Sequence, residues 1–220
     1  VMPQETVTLE RFSRRPLLED RDMKRPSISV VRATTAVFLV FCFSLLPKGT
    51  VAGSIPGFYG NRNLPPVPSH VLPSGGQVIR GAVPIPNEFD GVVRQEEEKA
   101  IITWQTFNIG KDAAVRFDQK GHGDWSVLNR IHDIDPSQIL GRLKADGKVF
   151  LINQNGILFG QDARVNVHSL VASSLDISFD DFLGDRLRFR AQSESAGAVS
   201  NHGLIRTNTA GSVFLLGPEV

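Results

Sequence analysis

The sequence predicts an all-β protein whose strands stack as a β-solenoid, and three observations lead to this fold class. From Gln77 onward, short apolar or alternating runs recur every roughly 8 to 12 residues between Gly, Asn and Asp, which is typical of β-strands. Few windows show the apolar spacing of a helix. The run Val-Phe-Leu-Ile at 149–152 recurs as Val-Phe-Leu-Leu at 213–216, and Asn-Gly-Ile-Leu at 155–158 is echoed by His-Gly-Leu-Ile at 202–205. These separations of 64 and 47 residues are near three and two coils of about 20 residues each, so the repetition favours a solenoid over a sandwich.

The first 52 residues are predicted to be an N-terminal extension and a secretory signal peptide. Basic residues precede a short apolar run at 36–46, and small residues follow it, with cleavage expected after Ala52. A membrane-spanning helix needs about 20 apolar residues, and this run is about half as long. A short buried helix is the alternative. The single cysteine, Cys42, lies in the run, so the exported body would be stabilised without disulfides.

Residues 53–71 are rich in Pro and Gly and are expected to form an extended leader, and residues 72–220 are expected to form the folded domain. Short helical turns are predicted at 135–140, where Asp135 would cap a turn beginning at Pro136, and at 178–182. The remaining predicted elements are strands at 77–82, 100–104, 114–117, 148–152, 156–159, 164–167, 187–189, 204–206 and 212–216.

The charge balance argues against several classes of partner. The chain carries a formal charge of +1, but residues 1–52 hold eight basic and five acidic side chains, so the remainder is about −2. A body with this balance indicates neither a nucleic-acid groove nor an anionic membrane surface. The sequence contains no phosphate-binding glycine loop after a strand and no nucleophile elbow, and we expect no cofactor.

One cluster of side chains could be read as a metal site. His132, Asp133 and Asp135 are close in sequence, and His122 and Asp124 lie nearby. The simpler interpretation is a loop, because the sequence contains no zinc or calcium motif. We therefore predict no metal ion and no catalytic residue.

Three arginines alternate with apolar residues near the end of the chain. Arg186, Arg188 and Arg190 are expected to share one face of a strand, since alternate residues of a strand point to the same side. This face would be either a solvated outer surface or a docking surface for an acidic partner.

The Asn-Gln-Asn-Gly segment from Asn153 to Gly156 is predicted to be a corner between two strands. Asn and Gly both tolerate the left-handed backbone of a tight turn, and an Asn side chain can instead bond to neighbouring backbone groups. Asn166 and Asn201 are further candidates for this role. The segment contains no catalytic group, so it points to folding and recognition.

A colinear series of motifs runs from Leu72 to the last residue and resembles the N-terminal secretion domain of two-partner secretion exoproteins, the family of filamentous-haemagglutinin-like adhesins and related haemolysins. The motifs that carry the resemblance are Leu-Pro-Ser-Gly-Gly-Gln-Val at 72–78, Ile-Thr-Trp-Gln-Thr-Phe-Asn-Ile-Gly at 102–110, Val-Leu-Asn-Arg-Ile at 127–131, Pro-Ser-Gln-Ile-Leu-Gly at 136–141, the segments 147–160 and 170–177, and Leu-Gly-Pro at 216–218.

The resemblance implies a right-handed parallel β-helix with an N-terminal cap and extra-helical β elements. It also implies a non-enzymatic role: the domain would be recognised in the periplasm by the POTRA domains of a dedicated outer-membrane β-barrel transporter, and would lead a larger protein out of the cell. The repeat pattern would then be expected to continue beyond Val220.

The family's signature turn, Asn-Pro-Asn-Gly-Ile, corresponds to Asn153, Gln154, Asn155, Gly156 and Ile157. The sequence departs from it at Gln154, and the loss of the proline is expected to cost about 0.5 to 1 kcal/mol through the unfolded state. Secondary candidates for partner recognition, within the colinear motifs, are Trp104, Asn108, Asn129 and Arg130.

Two other functions stay open at the level of sequence. The domain could bind host-surface carbohydrate as an adhesive module, with Trp104 or Trp125 as sugar platforms. A polysaccharide-cleaving enzyme would need clustered Asp, Lys or Arg in one groove, and the sequence offers only scattered Asp and the three alternating arginines.

Overall fold

The computed structural model describes residues 6–8, 31–33, 64–86, 88–192, 196–218 and 220. These residues form β-strands and one short helix, so the predicted all-β class is confirmed. The strands are β1 (Thr6–Thr8), β2 (Val31–Ala33), β3 (Gln77–Arg80), β4 (Val92–Arg94), β5 (Lys99–Trp104), β6 (Ala114–Asp118), β7 (Ser126–Ile131), β8 (Ser137–Ile139), β9 (Arg142–Ala145), β10 (Lys148–Ile152), β11 (Ile157–Phe159), β12 (Arg164–Val167), β13 (Ser169–Ser173), β14 (Asp176–Ile177), β15 (Arg188–Arg190), β16 (Val199–Asn201), β17 (Leu204–Thr207) and β18 (Val213–Leu216), and the helix α1 is Phe179–Leu183.

Within these ranges, no helix has the length and apolarity needed to cross a membrane. The predicted apolar run of the signal peptide, Cys42 and the predicted cleavage point at Ala52 lie outside the described residues.

Three sheets make up the body of the protein, and most of their neighbouring strands are parallel. Sheet 1 has the order β2-β18-β13-β10-β7-β5-β3, sheet 2 has the order β16-β11-β8, and sheet 3 has the order β17-β12-β9-β6-β4. The chain visits the three sheets in turn, as in β7-β8-β9 and then β10-β11-β12, and we call one such visit a repeat. Each strand therefore bonds to the equivalent strands of the repeats before and after it.

The apolar core lies between the three sheets. In sheet 3 the burial alternates along each strand, so that Val115, Phe117, Leu143 and Val165 point inward and are at most 1% exposed. Sheet 1 differs because both of its faces are buried. Its inner face joins this core, and its outer face carries a second apolar cluster.

The outer cluster exists because the chain leaves the repeat between β13 and β16. This excursion contains β14, α1 and β15, and its apolar side chains pack against the outer face of sheet 1, as in the edge-to-face contact of Phe182 with Phe150 at 5.3 Å. Ser178 begins α1 by accepting a hydrogen bond from Asp181 N, as expected of an N-cap. A short helix was predicted here at 178–182, so this prediction is confirmed.

Antiparallel strands lie at both edges of sheet 1. Strand β3 pairs with β5 at one edge, and β2 pairs with β18 at the other. Strand β1 pairs with β15 in a small separate sheet. The described part of the predicted leader, 64–71, forms no strand and instead lies along the first repeat, where Ser69 O accepts a bond from Asp112 N at 2.8 Å.

The helical turn predicted at 135–140 is wrong, because Ser137–Ile139 forms strand β8. Pro136 and Asp135 are favourable local signals for a helix, but β8 pairs with β11 on one side, and Asn108 Oδ1 accepts a bond from Gln138 N at 2.7 Å on the other. These tertiary bonds outweigh a weak local preference. Asp135 therefore does not cap a helix.

The coil count inferred from the internal repetition is also wrong. Val149 pairs with Leu170, and Leu170 pairs with Val213, so the 64 residues span two repeats and not three. The excursion lengthens the second of them. The second echo is not a structural equivalence, since the strand β11 belongs to sheet 2 and β17 belongs to sheet 3.

Within 64–220, the sequence missed β4, β7, β8, β9, β13, β14 and β16. The strands β7 and β13 are buried on both faces, so they lack the alternation that identifies a strand from sequence. The others have only two to four residues.

Candidate functional site

The predicted Asn-Gln-Asn-Gly turn forms the corner between β10 and β11. Gly156 N donates to Asn153 O at 2.9 Å, which closes a four-residue turn. Neither Gln154 nor Asn155 has a positive φ, and no peptide bond of the described residues is cis, so this hydrogen-bonded turn is of type I. Gly156 itself has a φ of 108°, and a Cβ there would lie 2.6 Å from Ala198 O. Glycine is therefore required at this position for both backbone and spatial reasons.

Asn153 is fully buried and uses both ends of its amide. Its Nδ2 donates to Asp135 O at 3.1 Å and to Ser137 Oγ at 3.0 Å, and its Oδ1 accepts from Asn155 N at 2.9 Å. The side chain thus fixes the turn internally and joins it to the preceding repeat.

Asn155 adds a second bond to that repeat, since its Nδ2 donates to Asp133 O at 2.8 Å. The side-chain amides of Asn153 and Asn155 therefore hold the loop before β8 by the carbonyls of the two residues that flank Ile134. Ile134 is 80% exposed, the highest value among the large apolar residues that the structure describes. Sequence reasoning missed Ile134, and the signal that could have found it is an isoleucine placed between two aspartates in a polar loop.

The following repeat holds the other side of the turn. Gly197 N donates to Gln154 O at 2.8 Å, and Ile157 N donates to Ala198 O at 3.0 Å. Gln154 and Asn155 are partly exposed, whereas Asn153, Gly156 and Ile157 are buried. The corner is therefore fixed by bonds on both sides, and a small part of it reaches the surface.

The other two candidate asparagines differ from this pattern. Asn201 Oδ1 accepts a bond from Gly203 N at 3.0 Å, which is a local turn contact. Asn166 is exposed within strand β12, so the expectation of a corner there is wrong. None of the four candidates has a left-handed backbone.

The secondary candidates Trp104, Asn129 and Asn108 make internal contacts. Trp104 is 1% exposed, and its Nε1 donates to Asn129 Oδ1 at 3.0 Å. Asn129 is itself fully buried and donates from Nδ2 to Phe150 O at 3.2 Å. Asn108 accepts the bond from Gln138 described above. Burial removes the Trp104 ring from any role as a sugar platform.

Arg130 lies on the outer face of sheet 1 and binds the excursion. One of its terminal nitrogens lies 2.9 Å from Asp176 Oδ1, and the same nitrogen donates to Ile177 O. The guanidinium carbon lies 4.3 Å from the centre of the Phe179 ring, within the range of a cation–π contact. With 20% of its side chain exposed, Arg130 connects two parts of the fold.

Arg186, Arg188 and Arg190 converge on one carboxylate. Arg186 Nε donates to Asp181 Oδ1 at 2.8 Å, and Arg188 and Arg190 each lie 3.9 Å from an Asp181 oxygen. The hydrogen bond from Arg186, followed by that of Ser178, holds the pKa of Asp181 below its usual value. Arg186 precedes β15, so the expectation that all three arginines share one face of a strand is wrong for this residue. The Asp181 carboxylate compensates part of the charge of the three arginines.

The predicted loop at His132 carries no metal cluster in the described part of the chain, where no three His, Cys, Asp or Glu side chains come together. Asp133 Oδ1 instead accepts a bond from Asp135 N at 3.1 Å. Trp125 is partly exposed and stacks on His122 at 4.4 Å.

Sheets of mostly parallel strands and a corner bonded on both sides define an all-β domain whose candidate site is built from backbone and amide hydrogen bonds. The chain belongs to the TPS secretion domain family, whose model matches residues 71–220. The resemblance to two-partner secretion exoproteins is thereby confirmed, and with it a secretion-targeting, non-enzymatic family role.

Named relatives agree with this family. A heme/hemopexin-binding protein of Haemophilus influenzae is 39% identical over 85 residues, which is 39% of this chain and 9% of the relative. A second protein of that name from the same species is 34% identical over 107 residues, which is 48% of this chain and 12% of the relative. The chain therefore spans about a tenth of the length of these curated relatives.

A solved structure supports the fold. The crystal structure of the HMW1 secretion domain from Haemophilus influenzae matches with a TM-score of 0.54 and 35% sequence identity, over 60% of this chain and 36% of that chain.

Proposed function

We propose that this domain targets a large exported adhesin or haemolysin-like protein to the cell surface through a dedicated outer-membrane β-barrel transporter, whose periplasmic POTRA domains recognise it. The family match over residues 71–220 is the observation that carries this proposal. The exported protein would pass through the periplasm and outer membrane of a Gram-negative cell and would be secreted or held at the surface.

The proposal includes the architecture. The three sheets would be the faces of a right-handed parallel β-helix, with β3 and the 64–73 segment as its N-terminal cap and the excursion as an extra-helical element. In-register parallel pairing of β7, β10 and β13 supports this, because stacked equivalent strands bury one continuous core. Strand β2 pairs with β18 at one edge of sheet 1 and lies within residues 1–52, so cleavage after Ala52 would remove it. The last repeat would then offer its edge as the template on which later repeats fold outside the cell.

The chain segments take separate roles in this proposal. Residues 1–52 would act as extension and signal peptide with cleavage after Ala52, residues 53–71 as the leader, and residues 72–220 as the secretion domain. Sequencing the N-terminus of the exported protein tests the first boundary, and a mature end before residue 45 or after residue 60 would contradict it.

The recognition surface would be the corner 153–157 together with the loop it holds. Ile134 supplies an exposed apolar surface that a partner would bury, and Asn153 and Asn155 fix its loop with bonds at 2.8 to 3.1 Å. Gln154 and Asn155 supply the partly exposed polar rim beside it.

The test is secretion of the full chain into the medium by cells that contain or lack the transporter. Ile134→Ser should lower secretion at least several-fold without changing the unfolding midpoint, since it removes an exposed contact. Ile79→Ser is the matched control, because Ile79 is also exposed, at 53%, but lies on β3. It should leave secretion unchanged.

Gly156→Val tests the shape of the corner, because it forces a β-branched side chain into a left-handed backbone beside Ala198 O. Asn155→Ala tests the bond to Asp133. Full secretion of all these variants would refute the recognition surface, and efficient secretion without the transporter would refute the pathway.

A further inference from the structure

A basic array covers the outer face of sheet 3. Its members are the exposed side chains Arg116, Arg142, Lys144, Arg164 and Arg206, which come from strands β6, β9, β12 and β17. The residues between them point into the core, so the array follows directly from the alternation of each strand. The net charge of about −2 for the chain after residue 52 conceals this segregation of charge.

The strand register places like charges side by side. Arg142 is directly opposite Arg164, and Lys144 is directly opposite Arg116. These pairs form two columns of side chains that run across the strands. The first column contains Arg142 and Arg164, and the second contains Arg116, Lys144, Asn166 and Arg206. Neighbouring strands are about 4.8 Å apart, so the column from Arg116 to Arg206 is about 14 Å long, and the two columns lie about 7 Å apart.

Much of this charge has no internal partner. Arg116 lies 3.8 Å from Asp118, but Arg142, Lys144 and Arg206 form no ion pair with a carboxylate of the described residues. Arg164 Nη1 donates to the carbonyls of Gln161 and Ala163, which leaves its charge uncompensated. Like charges directly opposite one another destabilise a sheet, so this arrangement weakens the isolated domain and favours an anionic ligand.

The composition of the face selects among polyanions. The outward residues of sheet 3 include no aromatic side chain, which a single-stranded nucleic acid would use for stacking. The one large apolar side chain exposed there is Leu204, opposite Arg164 and outside the column of Arg116, Lys144 and Arg206, so the face offers a bilayer too little apolar surface to enter. A flat, hydrophilic row of mostly guanidinium groups instead suits sulfate or carboxylate groups that recur along a hydrophilic chain, since each guanidinium can bind such a group through two parallel bonds.

We propose that the outer face of sheet 3 binds a linear anionic polysaccharide along the column from Arg116 to Arg206. The sugar acids or sulfates would lie over the two columns, and Asn166, exposed between Lys144 and Arg206, would donate to sugar oxygens. This binding goes beyond the secretion role and does not depend on it.

The experiment measures binding of the intact chain to heparin and to polygalacturonate, which separate sulfate from carboxylate recognition, and to polyuridylate and vesicles of anionic phospholipid. At least one polysaccharide should bind, with an affinity that falls as salt rises. Lys144→Gln should weaken binding roughly two- to fivefold, and the double variant Arg142→Gln/Arg164→Gln roughly 4- to 25-fold, as expected for exposed charge contacts. Both variants should unfold at or above the wild-type midpoint because they relieve repulsion.

Arg80→Gln is the matched control, because Arg80 is also exposed but belongs to sheet 1 and is paired with Glu97 at 3.0 Å. It should change the affinity less than twofold. The proposal is overturned by polysaccharide binding that the array variants leave unchanged, by an equal loss in Arg80→Gln, by failure of both polysaccharides to bind, or by polyuridylate or vesicles binding as tightly as the better polysaccharide.

Discussion

Replacing Asn153 by alanine should destabilise the domain more than any other single change in the Asn-Gln-Asn-Gly corner that leaves the backbone intact. The side chain is fully buried and makes three hydrogen bonds, to Asp135 O, Ser137 Oγ and Asn155 N, at 2.9 to 3.1 Å. Alanine leaves these three groups without their amide partner at a position, residue 153, that is fully buried.

The magnitude follows from the number of bonds. A typical internal hydrogen bond contributes about 0.5 to 1.5 kcal/mol net, and a buried group left unpaired costs about 1 to 3 kcal/mol. Because a backbone carbonyl and a hydroxyl at the corner can each recover part of their bonding elsewhere, we expect a loss of about 2 to 4 kcal/mol in the free energy of unfolding. In a domain of this size that is a fall in Tm of about 4 to 16 °C.

The assay is urea unfolding followed by circular dichroism, with the loss read from the midpoint at an unchanged slope. Asn153→Asp separates the donor from the acceptor, because aspartate can still accept from Asn155 N but places an oxygen against Asp135 O. It should be at least as destabilising as alanine.

Asn166→Ala is the matched control for Asn153→Ala, since Asn166 is exposed on β12. It should change stability by less than about 0.5 kcal/mol. If Asn153→Ala also stays within that range, or if Asn153→Asp equals the wild type, the amide bonds do not hold the corner and the reasoning is refuted.

Three further predictions concern other parts of the domain. Gln154→Pro should stabilise by about 0.4 to 1 kcal/mol in the same urea assay, because Gln154 is the second residue of a type I turn, where proline is favoured and restricts the unfolded chain; destabilisation would contradict this turn type. Arg130→Ala should cost about 2 to 4 kcal/mol and should speed proteolysis within 174–198, since Asp176 would lose its partner and the excursion one of its attachments; an unchanged cleavage rate would contradict this role. The lowered pKa of Asp181 means that its carboxylate adds stability above its unfolded pKa and that this contribution is lost as pH falls through the lower folded value, so Asp181→Asn should flatten the acid limb of the stability profile, and an unchanged limb would contradict the bonding from Arg186.

Local patterns in the sequence were sufficient for the elements that they alone determine. Strands β6 and β12 alternate between core and solvent, and the corner at 153–156 carries its turn residues in order, so both were predicted closely. The helix α1 was also predictable, because its N-cap serine and acidic first turn act within five residues.

Elements that depend on distant partners could not be predicted in this way. Strand β8 carries helix-favouring residues and is extended because β11 and Asn108 bond to it from other repeats. The number of repeats was misjudged because the excursion adds residues without adding a strand to sheets 1 to 3, and nothing local distinguishes an inserted segment from another repeat.

The candidate site contains both buried and surface residues, and secretion variants at these two kinds of position should behave differently. Asn153, Gly156 and Ile157 are buried, so a partner that approaches the folded corner contacts Gln154, Asn155 and the neighbouring Ile134. The buried signature residues would then act through the position of the 133–137 loop. Secretion defects in Asn153 or Gly156 variants should therefore scale with lost stability, whereas a defect in Ile134→Ser should appear at full stability. If Ile134→Ser secretes normally while the buried variants fail in proportion to their instability, the corner serves folding alone and the recognition surface lies elsewhere on the domain.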